Sequence, residues 1–306
     1  MTASAPLVSI GLPVYNGGAF LAQTVDSILS QTFSDFELII SDNASTDGSR
    51  EIGEAYARKD SRVQVVKSEV NCGASWNYKR VFELARGQYF RWNSADDLVA
   101  PDFLACCVEA LDQNPGAILC YPKTTLIGSS GETLELYEDN LNLQDVSPVE
   151  RYKEAVRRIG LTNVIYGLMR TDVLRRTRLM GAFPGADLVF VAELALFGKF
   201  YEIDRRLFFR RMHSGAHSNM EGMQGIQEFF DPRAKGKTFV PALKQHAEFL
   251  RSVAWGPLRF HEKLYLFVFI LRNMISDRDY LIQEACYAVL HHRTPPRRAY
   301  RFRRSM

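Results

Sequence analysis

Four short apolar runs, each ending in a polar loop and separated by helical patterns, limit what this chain can fold into. Residues 7–12, 36–40, 63–66 and 88–92 have the length and composition of strands. Between them, residues 19–30, 48–58 and 74–85 place apolar side chains at helical spacing, with Phe20, Val25, Ile28 and Leu29 on the first helix. Thr46 or Asp47 is expected to cap the second. Strand-helix alternation with short connections implies an α/β fold, a mainly parallel sheet covered by helices on both faces. In such sheets ligands bind beyond the C-terminal ends of the strands.

The loops at those ends are the candidate site. Asp96 and Asp97 stand after the fourth strand, just before a helix that opens at Pro101. Two adjacent carboxylates repel and need solvent or a cation. Mg²⁺ or Mn²⁺ fits, because hard cations take oxygen ligands and keep positions open for phosphate. The same pair also reads as a solvated turn with an Asp at the helix start. After the first strand, Pro13 fixes the backbone, Gly17-Gly18 permits a tight turn whose amides could hold phosphate, and Tyr15 offers a ring to a base. After the second, Asp42 can accept the imide hydrogen of a uracil or the amine of another base. Asn71-Cys72-Gly73 follows the third.

Beyond Pro101 the pattern predicts a helix to about residue 113, a strand at 117–121 and a turn at 128–131 leading into a strand at 133–136. Residues 137–148 are polar and read as a mobile loop. Helical stretches follow at 148–159, 171–176 and 186–197, with strands at 200–203 and 207–212. Residues 215–238 are weakly patterned, and 240–253, 260–275 and 279–291 read as helices whose apolar residues, among them Leu264, Phe267, Phe269 and Ile270, need a partner surface. The chain thus divides at 215/216 into a sheet domain (1–215) and a mostly helical C-terminal extension (216–306) with a basic tail.

Composition excludes several classes. Among 306 residues, 46% are hydrophobic and 24% charged, ordinary for a globular protein, and a net charge of +3 is too small to argue for nucleic acid. The five cysteines have no zinc-ligand spacing and read as free thiols in a reducing cytoplasm. No signal segment opens the chain, and the apolar run at 264–271 is too short to span a bilayer. The last stretch, from Arg293 to Arg304, interleaves arginines with aromatics; it reads as a solvated, partly disordered terminus or as a segment drawn to an acidic membrane face.

Taken together, Val8-Ser9-Ile10-Gly-Leu-Pro13-Val-Tyr15-Asn16, Glu37-Leu-Ile-Ile-Ser-Asp42-Asn43, Ser45-Thr46-Asp47-Gly48-Ser49, Asn71-x-Gly73, Arg86-Gly87-Gln-Tyr89 and Asp96-Asp97 before Pro101-Asp-Phe103-Leu104 resemble a family 2 glycosyltransferase of GT-A (Rossmann-like) fold over roughly residues 7–213. The resemblance implies a nucleotide-diphosphate sugar donor held by Pro13, Tyr15, Asn16, Asp42, Asn71, Asp96 and Arg211, and a divalent metal (Mn²⁺ or Mg²⁺) on Asp96 with Asp97 and His213 in support. Ser94 stands where the family usually has its first acid, which puts the metal in question. Asp187, before an apolar helix, matches the family's carboxylate base, with Glu193 in reserve; as a bare residue it also reads as a helix cap. Arg211-x-His213 matches a family pattern in which Arg neutralises the leaving diphosphate and His donates to it or binds metal.

These residues predict an inverting sugar transfer to a glycan or lipid-linked hydroxyl, in bacterial polysaccharide or glycolipid synthesis. A degenerate nucleotide-sugar-binding scaffold is the rival. The protein is expected in the cytoplasm or peripherally at the inner membrane face, with its C-terminal helices shaping the acceptor site or a homodimer contact.

Overall fold

The computed structural model describes residues 5–215, 223–291 and 294. Nine strands form one sheet in the order β3-β2-β1-β4-β8-β6-β9-β5, with β7 on the far edge of β6. The first half is parallel: β1 (Val8–Val14), β2 (Phe36–Asp42), β3 (Val63–Lys67) and β4 (Tyr89–Trp92), interleaved with α1 (Leu21–Leu29), α2 (Ser49–Ala57) and α3 (Ala74–Glu83). β1 and β2 are buried along their whole length, as strands covered on both faces must be. Side chains alternate between the two cores: Leu38 and Ile40 point to one, Ile39 to the other; Tyr89 to one, Phe90 and Trp92 to the other.

The second half is mixed. The two-residue β5 (Leu98–Val99) pairs antiparallel with β9 (Lys199–Arg211), and β8 (Leu168–Arg170) sits antiparallel between β4 and β6 (Ala117–Ile127). β6 turns at Gly128–Gly131 into the exposed β7 (Thr133–Tyr137). The two strands expected at 200–203 and 207–212 are one, β9, whose pairing with β6 slips register around Lys123. α4 (Phe103–Gln113) covers one face; α5 (Pro148–Arg158) and α7 (Ala186–Phe197) cover the other. α6 (Thr171–Leu174) is a single turn, and α8 (Met223–Phe230) lies within the weakly patterned region.

Residues 138–147 are not the loose loop their polarity suggested. Leu141 and Leu143 are fully buried in the core, and the Leu141 amide donates to the Tyr121 hydroxyl at 3.0 Å. α7 is apolar all round because it is enclosed, with α5 on one side and α9 (Pro241–Trp255) on the other. α10 (Phe260–Ser276) packs outside α9, and α11 (Arg278–His291) follows. Ile270 is buried and Phe267 and Phe269 are partly buried against this stack, whereas Leu264 faces away from it. Among the described residues no helix is long and apolar enough to cross a membrane. The expected division at 215/216 and the arginine-rich tail lie at or outside the edge of the described residues.

Candidate functional site

β1, β2 and β3 run in one direction across the sheet and β4 lies on the other side of β1, so the order reverses between β1 and β4. A crevice opens at such a reversal. The β1–α1 loop and the acidic loop after β4 meet there: a Cβ built on Gly17 would lie 2.9 Å from that of Ala95. The last β1–β4 bond runs from the Asn93 amide to the Gly11 carbonyl. By strand alternation Pro13 faces β4 next, and with no N–H it ends the ladder and frees residues 94–97 from the sheet. Pro13 is therefore a buried strand residue, not a ligand contact.

The β1–α1 loop is closed on itself. The amides of Asn16, Gly17 and Gly18 donate to Ser45 Oγ (3.0 Å), Ser49 Oγ (2.9 Å) and Asp47 Oδ2 (2.8 Å). Asn16, at φ 53°, returns its Oδ1 to the Thr46 amide. These amides cannot serve as the phosphate cradle the sequence suggested, because the next loop already satisfies them. Asp47 is held below the usual carboxylate range by donors from Ser49 and Gly18, which outweigh its partial burial. It does not cap α2: Gly48, at φ 87°, occupies that position. Tyr15 stays exposed.

Asp42 ends β2 buried, accepting from the Ser45 amide (3.2 Å) and from Arg50 Nε (3.0 Å). Its neighbour Asn43 bonds to Asn71 Oδ1 and to the Cys72 amide, and Asn71 in turn accepts from the Gly73 amide. Asn71 thus shapes the start of α3. Asn77, buried on α3, donates to the carbonyls of Val14 and Ser41 and locks the ends of β1 and β2 side by side.

The acidic pair splits. Asp96 is partly exposed; it accepts the Ser94 hydroxyl on Oδ1, and its Oδ2 lies 2.8 Å from His213 Nε2. Ser94 therefore orients the carboxylate where an acid was expected. His213 also stacks on Phe20, with centroids 4.9 Å apart. Asp97 turns inward, buried, and accepts the Arg211 amide at 2.8 Å. Burial and the Asp96 charge push its carboxyl well above its ordinary range. Facing the core, Asp97 is a poor metal ligand, contrary to expectation.

Arg211 is likewise buried. Its guanidinium donates to the carbonyls of Asp96, Gly128 and Ser129 and to Gln23, and lies over the Phe20 ring. It braces the acidic loop against the β6–β7 turn instead of reaching a diphosphate. Arg210, not singled out from sequence, is more open and donates to the Leu161 carbonyl (2.6 Å) and Asn163 Oδ1 (2.7 Å). Arg91 stands fully buried behind the acidic loop, over Phe103, its pKa lowered by burial to about 10. A cation inside an otherwise apolar strand was the readable sign of it.

Asp187 lies in the first turn of α7, after a Gly185 cap at φ 83°. Thr162, in a left-handed conformation, places its hydroxyl 2.6 Å from Asp187 Oδ2. The next residue, Asn163, accepts from Arg210, whose chain neighbour Arg211 bonds the Asp96 loop. Phe190, one turn along α7, meets Trp92 edge-on at 5.7 Å, a contact worth about 1 kcal/mol. Nothing local in the sequence marks Thr162. Glu193, the reserve base, is buried and clamped by Arg178, which also binds Glu248; it ties α7 to α9.

No group of three His, Cys, Asp or Glu side chains able to hold a metal is found among the described residues. Asp96 and His213 nonetheless present a carboxylate oxygen and an imidazole nitrogen together at the crevice. That pair fits a divalent cation of the kind that completes its shell with phosphate oxygens and water.

Several known proteins are similar to this chain in sequence or fold. Residues 9–158 match the model described as glycosyl transferase family 2. Over 109 residues the chain is 38% identical to EpsJ of Bacillus subtilis, an uncharacterized glycosyltransferase, covering 36% of this chain and 31% of EpsJ. Over 97 residues it is 40% identical to B. subtilis TuaG, whose name places it in teichuronic acid biosynthesis, covering 32% of this chain and 38% of TuaG. The chain thus spans well under half of these relatives. The structure of S. aureus TarS 1–349 in complex with UDP-GlcNAc superposes with a TM-score of 0.64 at 16% identity, covering 88% of this chain and 72% of that one. The fold is that of TarS, and residues 9–158 are similar to glycosyl transferase family 2.

Proposed function

We propose that the protein transfers a sugar from a nucleotide-diphosphate donor to a hydroxyl acceptor in the assembly of a bacterial polysaccharide or glycolipid. The observation that carries this reading is the relay from Asp187 through Thr162 and Asn163 to Arg210, whose chain neighbour Arg211 donates to the Asp96 carbonyl. TarS, crystallised with UDP and with UDP-GlcNAc, has the same fold, which favours a uridine donor.

In this reading Tyr15 stacks on the base, and Asp42, oriented by Arg50, accepts its imide hydrogen. Asp96 and His213 would hold a divalent cation, which would supply charge neutralisation at the diphosphate. Ser94 fixes the Asp96 carboxylate, while Arg211 and Asp97 keep the loop in place from behind. Asp187 accepts the proton of the attacking hydroxyl; Thr162 holds its Oδ2, and its Oδ1 takes no hydrogen bond from the described residues. One displacement with the base on the acceptor side inverts the anomeric centre. Five unpaired cysteines fit a reducing compartment.

The test is release of nucleoside diphosphate from a panel of nucleotide sugars, with and without Mn²⁺ and with glycan acceptors. Turnover that Mn²⁺ stimulates, and that Asp96→Ala reduces about 100-fold or more, supports the assignment. Saturable donor binding with no turnover across the panel would favour the scaffold.

A further inference from the structure

α10 is apolar on two sides. Its inner side, with Leu266 and Ile270, is buried against the core. Its outer side carries Phe260, Leu264, Val268, Leu271 and Ile275, between 42 and 83% exposed. Steps of four, four, three and four residues confine these five to about 80° of the helix circumference, a continuous stripe about 25 Å long. Lys263 and Arg272 border it on either side. Ile282, Val289 and Leu290 of α11 add a second exposed apolar set, 59–75% open. A water-facing stripe of this length marks a surface made to be covered.

We infer that the outer face of α10, continued by α11, is a docking surface for an anionic lipid bilayer. Charge decides the occupant. The residues after α11 contain six arginines, Arg293, Arg297, Arg298, Arg301, Arg303 and Arg304, and no acid. Two copies joined through this face would bring two such segments together, and like charge opposes that. Acidic headgroups attract each arginine and accept the stripe into the acyl boundary at the same time. Arg272 borders the stripe and can reach the headgroups while its stem lies along it, whereas the Lys263 ammonium is held by the Ala254 carbonyl. The two signals reinforce each other, as stable peripheral anchoring requires. The surface lies on the outermost helical layer, apart from the β1/β4 crevice, so bilayer binding needs no donor and holds whatever reaction the crevice performs.

The test is co-sedimentation of the full chain with phosphatidylcholine vesicles and with equimolar phosphatidylcholine–phosphatidylglycerol vesicles. Binding to the anionic vesicles alone is expected. The triple variant Leu264→Gln/Leu271→Gln/Ile275→Gln should weaken it about 30-fold or more, with an unchanged unfolding midpoint because these side chains are already exposed. Undiminished binding of the triple variant overturns the assignment, since the arginines alone then suffice. So does a concentration-dependent dimer, seen by sedimentation velocity, that the triple variant dissolves; the face then belongs to a second copy. Failure of either kind leaves donor turnover untouched, which separates it from failure of the sugar-transfer reading.

Discussion

Asp96, after β4, and Asp187, opening α7, are partly exposed, and among the described residues their carboxylates bond to hydroxyl groups or an imidazole. At the opposite end, beneath the starts of β1 and β4, a cleft of about 580 Å³ is lined by Arg86, Arg170 and Arg175 among others. Its three arginines make the second place conspicuous. Arg86 and Arg170 are nonetheless already matched. Arg86 donates to Glu37 at 2.6 and 3.0 Å, Glu37 also takes the Ser9 hydroxyl, and Arg170 donates to the carbonyls of Ala117 and Leu111. That end is a joint that fastens strand starts together. A hollow and a cluster of charge do not make a site; side chains with bonding capacity left to give do.

Exchanges at the two ends should therefore differ by orders of magnitude. Asp187→Asn removes the proton acceptor with little change of shape, so kcat should fall about 10³-fold while donor affinity, read by calorimetry, is unchanged. Equal loss of both would return Asp187 to the role of a helix-start residue. Arg211→Met leaves the carbonyls of Gly128, Ser129 and Asp96 without their donor and should cost about 3 kcal/mol in a denaturant titration. A variant that kept full stability but lost activity would return Arg211 to the leaving group.

A smaller effect lies between the ends. Asp139 is buried, with Thr124 and Asn163 as donors, and burial pushes its carboxyl up to about 6. A raised acid binds its proton more tightly in the native state, so the wild type gains stability as pH falls from about 7 toward about 4. Asp139→Asn cannot titrate; it should be more stable than wild type by about 2 kcal/mol near pH 8, with the advantage gone near pH 4. The same difference at both values would show that the Asp139 carboxyl titrates alike in the native and unfolded protein. Last, Arg175→Ala at the far cleft should leave transfer within about twofold. A tenfold loss would break the contrast between the two ends.

The parallel half of the sheet was legible because each strand there is long enough, and apolar enough, to set its own period, and each loop carries its own turn chemistry. β5 and β8 were not, since two or three residues have no periodicity and pair only because β9, β4 and β6 present open edges. Residues 138–147 look like a polar loop one by one, yet Leu141 and Leu143 anchor them in a core the sequence does not display.

The same division holds at the site. Sequence alone determined which loops meet at the strand ends, and that carboxylates of the second and fourth strands and of α7 belong to them. Only the tertiary structure decided which of two neighbours faces out: Asp96 rather than Asp97, Arg210 rather than Arg211. Adjacent residues have nearly the same pattern environment, and their fates separate only when burial and a partner such as the Arg211 amide, 114 positions away from Asp97, act on one of them. Desolvation is a property of position in space, and a chain that has not folded has not yet assigned it.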